Sequence, residues 1–138
     1  MKKYELTVKF IWHEDKVLHR IRALKDFSDV KSGDLGGFVE SESSLSQDGN
    51  CWIYPLAKAM GNSQVIENAV ARDNSIIKDN AIIKGSVILA GNSTVSGEAV
   101  VGGGVTVEDS VIDGARVING NVKIKSSSIR TSKSTSNK

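Results

Sequence analysis

The chain alternates apolar and polar residues in a pattern that resets every six positions. From Gly37 to Glu108 it reads as twelve consecutive hexads: GFVESE, SSLSQD, GNCWIY, PLAKAM, GNSQVI, ENAVAR, DNSIIK, DNAIIK, GSVILA, GNSTVS, GEAVVG and GGVTVE. From the third hexad on, the fifth position is Ile53, Ala59, Val65, Ala71, Ile77, Ile83, Leu89, Val95, Val101 and Val107. The third position is small or aliphatic, from Val39 and Leu45 through Cys51 to Val105. Positions three and five share one side of an extended strand, because strand side chains alternate with period two. The first position is Gly, Asp or Glu in ten of the twelve units. With the Asn or Glu that often follows, it supplies turn chemistry. Each hexad is therefore one short strand and one corner. Strands this short cannot bury an apolar side alone, so successive turns of the chain must stack. Three hexads per turn predict a triangular prism of about 18 residues per coil.

Two hexads carry a more specific likeness. Val65-Ile66-Glu67-Asn68-Ala69-Val70 and Val95-Ser96-Gly97-Glu98-Ala99-Val100 resemble the loose consensus of the hexapeptide-repeat proteins. The resemblance implies an all-β, left-handed parallel β-helix; the left hand comes from the resemblance, since the general rule for parallel crossovers gives a right hand. The block from Asp26 to Tyr54, DFSDVKSGDLGGFVESESSLSQDGNCWIY, is similar to the front of uncharacterised hexapeptide proteins of bacteria and their phages. It implies a phage-type protein without assigning an activity.

The front of the chain differs. Tyr4 to Trp12 and Val17 to Ala23 read as strands joined by His13-Glu14-Asp15-Lys16, a β-hairpin. An open solenoid end exposes unpaired backbone, and the hairpin is its expected cap. The expected organisation is a cap and connector over 1–36, a hexapeptide β-helix of about five coils over 37–130, and a disordered tail over 131–138. Beyond Glu108, spacings of four and five replace six, and a looser last coil is expected to end near Ile129.

Charge is uneven along the chain. Residues 1–36 carry net +2, residues 37–122 net −5, and residues 123–138 net +5. An acidic solenoid body argues against a duplex-binding surface, and nucleic acid is not an expected partner. The single cysteine excludes an internal disulfide, and Cys51 at an inward position reads as a buried inert thiol. No apolar run approaches the ~20 residues of a membrane span. The expected location is the cytoplasm, or the host cytoplasm for a phage-encoded protein.

Candidate chemistry is sparse. Many hexapeptide-repeat proteins are acyltransferases with a histidine base, and the hexapeptide carbonic anhydrases use three histidines for zinc. This chain holds only His13 and His19, both ahead of the repeat. No long loop interrupts the repeat to hold a pantetheine arm. The expectation is a non-enzyme with no metal and no cofactor. Outward positions four and six carry apolar rows, and rows of this kind mark contacts. A homotrimer is therefore expected, as the resemblance also implies. Trp52 and Tyr54 could stack on a base, while Arg72, Lys78 and Lys84 could meet phosphates. The cluster His19, Arg20 and Arg22 adds a second cationic group. These residues suggest a non-catalytic binding protein, sequestering a small anionic, nucleotide-like signal in clefts between subunits as a counter-defence. One alternative is a β-helix face that blocks a host protein. Another is a hexapeptide acyltransferase with His19 as base.

Overall fold

The computed structural model describes residues 2–114 and 116–130. The expected disordered tail, 131–138, lies outside the described residues. The architecture is a parallel β-solenoid of about five coils, preceded by an antiparallel hairpin. The hairpin strands are β1 (Tyr4–His13) and β2 (Lys16–Ala23), followed by β3 (Leu35–Val39). Fourteen strands of two or three residues follow among the described residues, from Trp52–Ile53 to Ser128–Arg130. They stack into three sheets of eight, five and four strands. Parallel pairing runs Trp52 to Val70 to Ile88 to Thr106 to Lys123 on one side. It runs Gln64 to Ile82 to Val100 to Val117 on another. No helix of the described residues is long and apolar enough to cross a membrane.

The predicted inward positions form the core. The fifth-position column from Ile53 to Val107 is fully buried, as are Cys51, Ala57, Ala69, Ala81, Val87, Ala99 and Val105 of the third-position column. Burial pushes the Cys51 thiol pKa up, which keeps it protonated. The corners explain the mixture of Gly and acid at position one. Glu67, Asp73 and Asp79 take a positive φ, as do Gly85, Gly91 and Gly97 one coil later. Each carboxylate accepts the backbone N–H of the glycine above it, at 2.7, 2.9 and 2.9 Å. A left-handed corner thus gains a charge-assisted hydrogen bond where the residue is acidic, and freedom from Cβ strain where it is glycine.

The unbroken twelve-unit register needs one correction. Val39 pairs with Ala59 and Leu45 with Val65, 20 residues on in each case. Later coils advance by 18, as from Ile53 to Ala71. The first coil therefore holds two extra residues, which bulge between Leu45 and Ile53. Lys3, fully buried, threads into that bulge and donates to the carbonyls of Cys51, Gly49 and Asp48 at 2.7, 3.2 and 3.4 Å. Loss of hydration holds its ammonium pKa below the ordinary value. After Val107 the coil shortens to 17 residues, with Val95 over Ile112 and Val107 over Ile124. The chain's last described strand, Ser128–Arg130, lies where the looser coil was expected to end.

The hairpin is an extension of a sheet as well as a cap. β2 pairs antiparallel with β3, so β1 becomes the edge of the eight-stranded sheet. Tyr4, Ile21 and Ala23 close the end of the core. Leu18 packs with Phe38 and Met60 outside it and covers that part of the eight-stranded sheet's outer side.

Candidate functional site

Of the expected ligand-binding residues, Tyr54 and Arg72 come together and Trp52 does not join them. Trp52 points outward in register, but the connector and hairpin cover it and leave 1% exposed. Phe27 and Tyr4 pack edge-on against its ring, at 5.1 and 6.2 Å between centroids. Its place is the core, and no ligand can stack on it. Tyr54 and Arg72 do meet, with the guanidinium 5.2 Å from the ring centroid. The Tyr54 hydroxyl donates to Asp29 at 2.5 Å. Burial, and then that hydrogen bond, push its pKa up to about 12. Lys78 lies at the hairpin tip, 3.5 Å from the Glu14 carboxylate. Lys84 follows the Ile82–Ile83 strand of the four-stranded sheet, with its stem over Gly102.

On the hairpin, Arg22 is ion-paired with Glu5. Arg20 donates to the carbonyls of Gly36 at 2.7 Å and Pro55 at 3.2 Å, and lies 4.2 Å over the Phe38 ring. It joins the hairpin to the first coil. Pro55 also lines the groove that holds Tyr54 and Arg72.

The two histidines differ in a way that decides between them. His13 ends β1, and its Nε2 is buried with no hydrogen-bond partner, 3.5 Å from the Glu14 carboxylate. The neighbouring groove, about 350 Å3, is lined by Glu14, Lys16, Lys78 and the side-chain amides of Asn62 and Asn80. An occluded Nε2 cannot take a proton from a substrate. His19 stands opposite Phe10 across the hairpin. Its Nδ1 is 3.1 Å from the Thr7 carbonyl oxygen. A carbonyl only accepts, so Nδ1 carries the hydrogen and Nε2 keeps the lone pair. This contact depends on an irregularity in β1. The pairing slips between Leu6 and Phe10, so Thr7, Val8 and Lys9 bulge and the Thr7 carbonyl reaches the imidazole.

The surroundings of His19 went unread in the sequence. Phe10 lies against its ring at 6.2 Å. Phe10 is 51% exposed, Trp12 70% and Val8 94%. The alternation Phe10, Trp12 on a strand was legible; that these residues project beyond the core they would be expected to fill was not. Among the described residues, no three His, Cys, Asp or Glu side chains are grouped as a metal ion would need.

No family model matches the chain. A stretch of 62 residues is 42% identical to the "uncharacterized acetyltransferase YdcK" of Escherichia coli (strain K12), covering 39% of this chain and 19% of that protein. The chain thus spans about a fifth of that relative's length. With the stacked parallel coils, the likeness fits the hexapeptide-repeat β-helix family that the sequence resembles. It also overturns the expected non-catalytic, nucleotide-sequestering role. The relative is named for acetyl transfer.

Proposed function

We propose that this chain transfers an acetyl group from a thioester donor such as acetyl-CoA to a hydroxyl or amine, with His19 as general base. The observation that carries this reading is the Nδ1–H of His19 donated to the Thr7 carbonyl at 3.1 Å. It fixes the tautomer in which Nε2 can accept a proton. As the acceptor's oxygen or nitrogen attacks the acetyl carbon, His19 Nε2 takes its proton. When the C–S bond breaks, the proton passes to the leaving thiolate, and the imidazole is neutral again. The likeness to a protein named as an acetyltransferase supports the same reaction class.

The test is thiol release from acetyl-CoA, followed with a panel of alcohol and amine acceptors. Wild type should turn over at least one acceptor. His19→Gln should lose about 10²- to 10⁴-fold of that rate, the usual contribution of a general base, with an unchanged melting temperature. His13→Gln should retain the rate. Turnover that survives His19→Gln would defeat the assignment.

A further inference from the structure

Resting on His19 as base, we infer that the acceptor is an uncharged aromatic compound, a phenol or an aniline, and that Trp12 and Phe10 select it. Three exposed apolar side chains on one edge strand are unusual. Natural edge strands are protected by charge, and large apolar residues normally lie inside. Here Val8, Phe10 and Trp12 account for three of the large exposed hydrophobic side chains, and all three belong to the strand that carries the base's anchoring carbonyl. Phe10 is paired with His19 across the hairpin, and Trp12 with Val17. Residues two apart share a side of a strand, so Phe10, Trp12, Val17 and His19 form one surface. The Phe10 and His19 rings are 6.2 Å apart and tilted by 57°.

That surface has no charged member. Glu5 is held by Arg22, and Lys16 lies 3.7 Å from Glu40. None of the four side chains Phe10, Trp12, Val17 and His19 offers an anionic acceptor a fixed counter-ion, and for a sugar they hold only the imidazole and the Trp12 indole N–H. An aromatic ring would gain offset or edge contacts with Phe10 and Trp12. Its hydroxyl or amine, uncharged at neutral pH, would then lie next to an imidazole that can take its proton. The step balances as before: an O–C or N–C bond forms, the C–S bond breaks, and the acceptor proton ends on the thiol.

The experiment compares thiol release from acetyl-CoA with 4-methylphenol, 4-methylaniline, glucosamine and serine as acceptors, in wild type, Trp12→Thr, Phe10→Ser and a remote control, Val122→Thr. Melting curves and light scattering accompany each variant. The expected result is a wild-type kcat/KM at least tenfold higher for the aromatic acceptors than for glucosamine or serine. Trp12→Thr should erase that preference mainly through KM, and Val122→Thr should keep it. His19-dependent turnover that favours glucosamine or serine, or a preference untouched by Trp12→Thr and Phe10→Ser, would overturn the aromatic assignment while leaving acetyl transfer standing. Absence of His19-dependent turnover with every acceptor would overturn both. An assembly that Trp12→Thr dissociates would make the surface a contact between copies, which also overturns it.

Discussion

Tyr4 and Tyr54 show how single side chains tie the front of the chain to its first coil. Tyr4 is fully buried and donates its hydroxyl to the Leu45 carbonyl at 2.5 Å, with the Glu42 carbonyl 2.9 Å away. Burial pushes its phenol pKa far up, and Tyr54 is pushed up to about 12. A phenol in the unfolded chain ionises near pH ~10. Between that value and the folded pKa the unfolded state has lost a proton that the native state keeps. Stability is therefore complete below pH ~10 and falls as pH rises through the folded values. Thermal melts from pH 9 to 12 should show this loss, and Tyr54→Phe should flatten the part between pH ~10 and ~12. A variant whose melting temperature falls as steeply as wild type would contradict the linkage. At this scale the sequence was uneven as a guide. The inward column was legible because burial there follows from alternation alone. Trp52 was misread for the same reason: alternation says which way a side chain points, and only the connector's path, with Phe27 lying over the indole, determines whether solvent remains on that side.

Elements obey the same rule with a sharper consequence. Positions three and five lie two apart, so a slip of two residues puts one apolar column where the other was and leaves every side chain on its own side. This is why the two-residue excess before Ile53 leaves no mark in the hexad pattern: Val39 and Leu45, at position three by counting, occupy the fifth-position column above Ala59 and Val65. A change of one residue inverts the sides, and the deletion between Val107 and Ile112 was visible as a break in spacing. The hairpin's role is likewise tertiary, since its second strand joins the eight-stranded sheet. Arg20 holds that junction through two backbone carbonyls and the Phe38 ring. Arg20→Met keeps the stem and loses the guanidinium hydrogen bonds, each worth ~1.5–3 kcal/mol when a charged group donates. Amides of β1 and β2 should then exchange at least tenfold faster, while those of the coils from Gln64 to Val101 remain at wild-type rates. A uniform acceleration through the whole chain would show that the hairpin and solenoid unfold as one unit.

For the whole molecule, the outer faces differ in how much of each the chain itself covers. The hairpin covers the first part of one outer face at Phe38 and Met60, and the connector covers Trp52 on the next. The third face has no such cover among the described residues. There Ile82, Val100 and Val117 stand in register on successive coils, the first two half-buried and Val117 69% exposed. A straight row of aliphatic side chains along a flat sheet suits a second flat sheet, and parallel prisms can repeat that contact around a threefold axis. We propose a homotrimer joined through this row. Burying each aliphatic side chain is worth ~1.5–3 kcal/mol, so three rows can outweigh the several kcal/mol of association entropy that each added subunit loses. Light scattering at micromolar concentration should give about 44 kDa, three times the 14.8 kDa chain mass. Ile82→Glu places three carboxylates in that contact and should return the protein to monomers that still melt cooperatively. Thr106→Glu, on a different face, should stay assembled. A wild-type mass of one chain would rule the trimer out, and a trimer that persists in Ile82→Glu would move the interface to another face.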